Sequence, residues 1–274
     1  MNLFIEGLQG SGKSTLVQML ADAEPNYKVL REGDYSPVEL AWCTYMSREA
    51  YESALKKYAS LRSEIEERSV SEGDRMIIPY TRIRTDIPGF YQDMEQYEIY
   101  NGRICLEELR RIVLGRFSAW NGQNQSFECS LLQNLVEEML LYCVMTDDEI
   151  LAFYQSVYDV LKRKDYRILY LKTEDIPQSI DHIRKERTDA AGHEVWFHML
   201  LEYFHASPYA KTNNVSGPDA LFRHFQHRQA LELRICREIF GKYALVLPSK
   251  SFDRSSLFSM TKGFVPHDNA SPSN

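Results

Sequence analysis

The chain has no excess of positive charge and no long apolar run. Its 274 residues carry a formal net charge of −7, whereas a general nucleic-acid-binding protein needs a basic face. We therefore expect no polymeric nucleic acid as a partner. No stretch of 18 apolar residues occurs, so we expect no membrane span. The first apolar strand pattern begins at residue 2, which leaves no room for a signal peptide and favours a cytoplasmic location.

Cysteine is sparse, and several chemical signatures are missing. The five cysteines are odd in number, widely spaced and without a C-x-x-C pair, which favours reduced thiols over a disulfide or zinc framework. No H-E-x-x-H metal motif and no G-x-S-x-G hydrolase motif occurs. The guanine-binding Asn/Thr-Lys-x-Asp signature of GTPases and an orthodox Walker B strand are also absent. These absences disfavour zinc enzymes, serine hydrolases, GTPases and the large ATPase classes.

The chain does have a phosphate-binding loop at its start. Residues 7–14 read GLQGSGKS, which is the P-loop pattern G-x-x-x-x-G-K-[ST], directly after the apolar run 2–6. The pattern predicts ATP and Mg²⁺ as cofactors: Lys13 would reach the β- and γ-phosphates, and the Ser14 hydroxyl would bind Mg²⁺. The predicted nucleotide contacts are Gly7, Gly10, Ser11, Gly12, Lys13, Ser14 and Thr15. The alternative is a glycine-rich turn that merely caps a helix.

Strand patterns alternate with helical patterns along the chain, which predicts an α/β fold with a parallel sheet. We expect strands at 2–6, 28–32, 126–131, 167–172 and 243–247, and a mostly helical segment from 37 to 72. Met76 to Tyr80 is short and apolar, but Pro79 argues against a central strand. Ligands of such sheets bind beyond the carboxyl ends of the strands. This rule selects the P-loop, residues 32–42, residues 128–134 and residues 172–175.

Three short segments resemble a known family. The run Ile5-Glu6-Gly7 with the P-loop, then Arg31-Glu32-Gly33, then Pro37-Val38 with Trp42, is similar to the deoxynucleoside kinase and thymidylate kinase superfamily. The resemblance implies that Glu32 is the base toward the acceptor hydroxyl and that Trp42 lines the acceptor pocket. This chain departs from the family pattern by four residues, 33–36. The alternatives are a solvated carboxylate at Glu32 and a core tryptophan at Trp42.

A second resemblance lies after the fourth strand. Arg184 and Arg187 are spaced i, i+3 and share a helix face, so together they could clamp a γ-phosphoryl group. The superfamily carries an arginine-rich lid at this place, which implies a lid over about 176–212. The alternative is a solvated charged helix.

One acid stands at the end of the third predicted strand. Superfamily members have an Asp-Arg or Glu-Arg pair there, near Mg²⁺, whereas here Glu128 is followed by Cys129. Glu128 is therefore predicted as a metal- or water-linked acid, or else as a buried carboxylate paired with Arg82 or Arg84. Tyr80, Arg82 and Arg84 complete the predicted acceptor site with Glu32 and Trp42.

The resemblance also implies an architecture. It is a three-layer P-loop NTPase fold with the five strands in the order 2-3-1-4-5 and helices on both faces. We expect one kinase domain over 1–262, an acceptor-binding insertion at about 75–125 and a disordered tail over 263–274. Superfamily members are often dimers, and the helices within 36–71 and 130–163 are candidate homodimer contacts.

The predicted function is ATP-dependent phosphoryl transfer to a small molecule, with a nucleoside or a nucleoside monophosphate as the favoured acceptor. One alternative is a kinase for another small molecule, such as a sugar or an antibiotic. A second alternative is a nucleotide-binding regulatory ATPase without an acceptor.

Overall fold

The computed structural model describes residues 1–189 and 192–250. The predicted tail 263–274, the predicted domain end at 262 and residues 190 and 191 of the predicted lid lie outside the described residues. Within them, the strands are β1 Asn2–Gly7, β2 Lys28–Leu30, β3 Met46–Ser47, β4 Val70–Glu72, β5 Arg75–Ile77, β6 Gln125–Glu128, β7 Tyr166–Lys172 and β8 Ala244–Pro248. The helices are α1 Lys13–Ala23, α2 Arg48–Lys57, α3 Arg62–Arg68, α4 Phe90–Glu95, α5 Leu106–Ala119, α6 Gln133–Leu141, α7 Asp147–Leu161, α8 Ile176–Glu186, α9 Val195–Ala206, α10 Pro208–Asn213 and α11 Gly217–Ile235.

Five of these strands form one parallel sheet in the order β2-β6-β1-β7-β8. Because β6, β7 and β8 are the third, fourth and fifth strands of this sheet along the chain, the order is the predicted 2-3-1-4-5. All five predicted strands are present, with ends that differ from the prediction by up to three residues. The α/β fold and its strand order are therefore confirmed.

Alternate residues of the central strands explain the three layers. Leu3 and Ile5 of β1 pack with Leu16 and Val17 of α1 on one face of the sheet. Phe4, between them, packs on the other face, in a core that α5, α6, α7 and α11 complete. Both faces of the parallel strands are thus covered by helices, which is why β1 is buried along its whole length.

Local signals fix several helix starts. The Thr146 side chain accepts from the Glu149 backbone N–H, and the Glu149 side chain accepts from the Thr146 backbone N–H, so α7 begins with a full capping box. Asp175 caps α8 with a single bond, because its side chain accepts from Gln178 N at 2.9 Å. The capped N-terminus of α8 follows directly after β7, at the edge of the sheet where the P-loop also lies.

The segment between β2 and β6 differs from the prediction. Residues 37–45 are not helical, and a second, antiparallel sheet of order β3-β5-β4 follows them. β5 is its central strand, so the expectation drawn from Pro79 was wrong. The reason is that β5 ends at Ile77, and a proline beyond the end of a strand removes no ladder hydrogen bond. This sheet packs with α2, α3 and α4 around a second hydrophobic core that includes Ile65, Ile78 and Phe90.

Among the described residues, no helix combines the length and the apolar character that crossing a membrane requires.

Candidate active site

The P-loop joins β1 to α1 and needs its glycines. Gly7 has a φ of 136°, and a Cβ there would lie 2.5 Å from the Leu171 carbonyl oxygen of the neighbouring strand. Gly10 has a φ of 74°, and its Cβ would lie 2.1 Å from Ile183 Cδ1 on α8. A side chain at Gly7 would therefore force the loop away from β7, whereas one at Gly10 would push the Ile183 side chain of α8 aside.

The loop presents polar atoms that suit phosphate. Lys13 is buried, and its Nζ donates to the carbonyl oxygens of Gly7 at 2.9 Å and Leu8 at 2.7 Å. The Ser11 hydroxyl is fully buried and has no hydrogen-bond partner among the described residues. An ammonium with a third N–H to spare and an unsatisfied hydroxyl, both at a helix N-terminus, form a site suited to an anion.

Glu128 lies against the P-loop. It ends β6, and its Oε1 accepts a hydrogen bond from the Ser14 hydroxyl at the start of α1. Neither Arg82 nor Arg84 forms an ion pair with Glu128 in the part of the chain that is described. A hydroxyl and a carboxylate side by side are hard oxygen ligands, which Mg²⁺ prefers.

A cavity of about 570 Å³ opens beside the P-loop. Gln9 of the loop, Glu32 after β2, Gln133 and Asn134 of α6, and residues from 95 to 101 line it. Arg187 and the α9 side chains Trp196, Met199, Leu200 and Tyr203 close it from the other side. A volume of this size suits a small-molecule ligand.

Glu32 and Trp42 meet at the cavity wall. Trp42 Nε1 donates to Glu32 Oε1 at 3.3 Å, and Gln133 Nε2 donates to the same oxygen at 3.4 Å. Trp42 is 47 % exposed with a φ of 61°, so it is not a core residue. The intervening residues 33–36 are held by Arg82, whose Nε pairs with Asp34 at 2.8 Å, and by Arg116, which binds the Ser36 carbonyl.

The two predicted lid arginines have different surroundings. Arg187 lines the cavity, with its guanidinium 5.2 Å from the centre of the Trp196 ring. Arg184 does not line it, because its Nε pairs with Glu194 at 2.9 Å and its Nη1 lies 3.4 Å from Asp181. The structure therefore brings Arg187, but not Arg184, to the cavity that holds Glu32.

The remaining predicted acceptor residues lie behind or outside the cavity wall. Tyr80 is buried in the second core, and its hydroxyl donates at 2.6 Å to Glu98, which does line the cavity. Arg82 Nη2 donates to the Glu32 carbonyl oxygen at 2.9 Å. Arg84 is exposed. None of these three is a cavity-lining residue, but Tyr80 contacts the cavity wall through Glu98, and Arg82 through the backbone of Glu32.

Sequence reasoning missed a buried charge cluster next to the P-loop. Arg228 of α11 is fully buried, donates to Gln9 Oε1 at 2.6 Å and pairs with Glu137 of α6 at 2.8 Å. Glu137 also contacts His224 Nε2 at 2.9 Å, and Glu232 Oε1 lies 3.4 Å from Arg228 Nε. The spacing of four between 224, 228 and 232 places three charged or polar residues on one helix face, and this signal was present in the sequence.

Two carboxyl groups of this region, Glu137 and Glu6, have pKa values shifted in opposite directions. Burial opposes ionisation of Glu137, but the charges of Arg228 and His224 outweigh burial and lower its pKa to about 2. Glu6 of β1 is fully buried and accepts from the Leu131 N–H at 2.7 Å and the Gln133 N–H at 3.2 Å. Burial nevertheless raises the pKa of Glu6 to about 7. Glu6 therefore fixes the turn from β6 into α6, which carries Gln133 and Glu137.

No family model matches the chain, and no curated protein matches it. Among solved structures, the chain is similar to a deoxyadenosine kinase from M. mycoides with bound dATP. The identity is 14 %, the TM-score is 0.41, and the match covers 96 % of this chain and 98 % of the other. At this identity and TM-score, the likeness carries no information about substrate or activity.

Proposed function

We propose that this protein is a kinase that transfers the γ-phosphoryl group of ATP to a small-molecule acceptor. A nucleoside or a nucleoside monophosphate is the favoured acceptor class. The observation that carries the proposal is that one cavity is lined both by Gln9 of the P-loop and by Glu32, the carboxylate that the family resemblance implies as the base. Phosphate donor and acceptor could therefore meet in a single space.

The donor half of the site would be built on the P-loop. Lys13 and the backbone N–H groups between Gly7 and Thr15 would hold the β- and γ-phosphates, with Gly10, Ser11 and Gly12 in contact. Ser14 and Glu128 have the oxygen chemistry for Mg²⁺. Bound Mg²⁺ would neutralise charge on the β- and γ-phosphate oxygens.

The acceptor half would be built around Glu32. Its carboxylate, oriented by Trp42 and Gln133, would accept the proton of the acceptor hydroxyl as the oxygen attacks the γ-phosphorus. Arg187 would stabilise the negative charge that spreads over the transferred group, and Arg184 would join it only by leaving Glu194. Homodimer formation stays a prediction from the resemblance.

The test is ATP consumption by the full chain with Mg²⁺ against nucleosides, nucleoside monophosphates, sugars and aminoglycosides. We expect one acceptor class to raise turnover sharply. Lys13→Ala should abolish this turnover, whereas Lys56→Ala, which removes an exposed lysine on α2, should not. Glu32→Gln should lower kcat by 100-fold or more, on the order of a general-base contribution, while ATP binding persists. Glu49→Gln, at an exposed carboxylate of α2, is its control.

Two outcomes would refute the kinase proposal. ADP release that ignores every acceptor would support an ATPase without an acceptor. ATP binding without any turnover would support a regulatory nucleotide-binding protein.

A further inference from the structure

The turn that follows β2 is closed by contacts around Asp34. The Asp34 N–H donates to the Arg31 carbonyl oxygen at 2.9 Å, and Asp34 Oδ2 accepts from the Arg31 N–H at 2.8 Å. Asp34 Oδ1 pairs with Arg82 Nε at 2.8 Å. Arg82 completes the set, because its Nη2 donates to the Glu32 carbonyl oxygen at 2.9 Å. Glu32 therefore lies inside a turn that is held both from within and by Arg82.

Gly33 lets Arg82 and its neighbours approach this turn closely. It has a φ of 84°, and a Cβ there would lie 3.1 Å from Thr81 Oγ1 and 3.9 Å from Arg82 Nε. The same Cβ would lie 3.8 Å from Trp42 Cβ. The segment that carries Arg82 thus fits against the turn because residue 33 is glycine.

The far end of the same loop has a second anchor. Arg116 of α5 donates to the Ser36 carbonyl oxygen and pairs with Glu72 of β4. The Tyr35 hydroxyl donates to the other carboxylate oxygen of Glu72 at 2.6 Å. Residues 33–36, by which this chain departs from the family pattern, are thus held by two arginines from the segment between β5 and β6.

The Glu32 side chain itself has only long hydrogen bonds. Trp42 Nε1 lies 3.3 Å and Gln133 Nε2 lies 3.4 Å from Glu32 Oε1, whereas strong N–H···O bonds are about 2.9 Å long. Trp42 is moreover 47 % exposed. The direction of the Glu32 carboxylate therefore depends chiefly on the backbone that carries it.

We infer that Arg82 is a positioning residue for phosphoryl transfer: through Asp34 and the Glu32 carbonyl oxygen, it fixes the turn that holds the Glu32 carboxylate at the cavity. The inference rests on the proposed function. Arg82 does not line the cavity, so it acts through Glu32 and not on the ligand. A displacement of about 1 Å in an active site can cost about 100-fold in rate. Loss of the turn should therefore lower kcat and leave ATP binding at the P-loop intact.

Steady-state kinetics of the full-length Arg82→Gln variant, with the acceptor that the unmodified protein phosphorylates, tests the inference. We expect kcat to fall about ten- to hundredfold and the KM for ATP to change less than about twofold. Asp34→Asn removes the other half of the ion pair and should show the same pattern, which protects the test if one variant fails to fold. Arg62→Gln, which removes a surface ion pair with Glu66 in α3, is the matched control and should keep kcat.

A double variant distinguishes positioning from direct contact. If Arg82 acts through Glu32, adding Arg82→Gln to the Glu32→Gln protein should lower kcat by less than a further factor of about two, because the carboxylate that Arg82 positions is already gone. A direct contact between Arg82 and the ligand, or a general loss of structure, would lower kcat by the same factor in both backgrounds.

Hydrogen exchange measures the turn without any need for activity. In Arg82→Gln, a peptide that covers residues 31–36 should exchange at least about tenfold faster, because the contacts that close the turn are lost. Peptides from β1 and β7, which pair with each other in the parallel sheet, should keep their rates.

The results separate this inference from the proposed function. An unchanged kcat in Arg82→Gln, an equal loss in both backgrounds, or unchanged exchange of residues 31–36 would overturn the inference and leave the kinase proposal intact. No phosphoryl transfer by the unmodified protein to any acceptor would refute the kinase proposal and the inference with it. A loss of kcat that disappears in the Glu32→Gln background, with faster exchange confined to the turn, would support the inference.

Discussion

Replacing Arg228 by methionine tests the buried charge cluster beside the P-loop. The change removes the cation that holds Glu137 ionised in the core and leaves Gln9 without its donor. The pKa of Glu137 falls from 4.5 to about 2 on folding. At about 1.4 kcal/mol per pH unit, this shift corresponds to roughly 3 kcal/mol of stability. Because the folded pKa is the lower one, this stability is present above pH 4.5 and is lost as the pH falls toward 2.

Arg228→Met should lose this stability, and the buried charge that it leaves without Arg228 should lower the free energy of unfolding further. In Arg228→Met, Glu137 keeps only His224 as a partner. Breaking a buried ion pair typically costs about 3–5 kcal/mol, so we expect the free energy of unfolding to fall by up to that amount at pH 7.5. The loss should shrink at pH 5.5, because Glu137 without its cation would take up a proton there. Urea unfolding followed by circular dichroism at both pH values measures it.

A double variant distinguishes the ion pair from simple packing. Arg228→Met with Glu137→Gln removes the unpaired carboxylate of α6 and leaves Glu232 of α11, which keeps its hydrogen bond from the Tyr170 hydroxyl at 2.6 Å, so it should recover part of the stability lost by the single variant. A single variant that loses less than about 1 kcal/mol, or a double variant as unstable as the sum of both single changes, would refute the reasoning.

Three further outcomes follow from the geometry. Gly7→Ala places a Cβ 2.5 Å from the Leu171 carbonyl oxygen at a positive φ. Nucleotide binding measured by calorimetry should therefore be lost, and the Tm should fall. The control Gly73→Ala, where the Cβ meets nothing within 4 Å, should keep nucleotide binding. Thr146→Ala removes the capping box of α7 and should cost about 1 kcal/mol in urea unfolding, with no change in nucleotide binding. Trp42→Phe removes the N–H bond to Glu32 and should raise the KM for the acceptor about three- to tenfold, with the KM for ATP unchanged; an unchanged acceptor KM would contradict the contact.

The main sheet could be predicted because its signals are periodic and local. The central strands β1 and β7 are mostly apolar runs that pack on both faces of the sheet, as Phe4 and Ile5 of β1 do. The P-loop pattern identified the start of the sheet and its ligand edge. The small antiparallel sheet was not predicted, because its strands are two or three residues long, too short for a period of two to be recognised.

The site was predictable only in part. Glu32, Trp42 and Arg187 follow recognisable motifs, and all three line the cavity. Glu137 and Arg228 resemble a solvated helix face in the sequence, and only the packing of α6 against α11 puts them in the core. Single-residue patterns cannot tell a buried charge from an exposed one when its partner is some ninety residues away.

The second hydrophobic core supports one part of the cavity wall separately from the parallel sheet. Ile65, Ile78 and Phe90 pack together apart from the core beneath the parallel sheet, and Tyr80 and Glu98 are tied to them. Regions with separate packing can open and close as independent cooperative units. The part of the cavity wall that Glu98 forms can therefore open, or accept substitutions, without disturbing the P-loop, which follows β1 in the larger core.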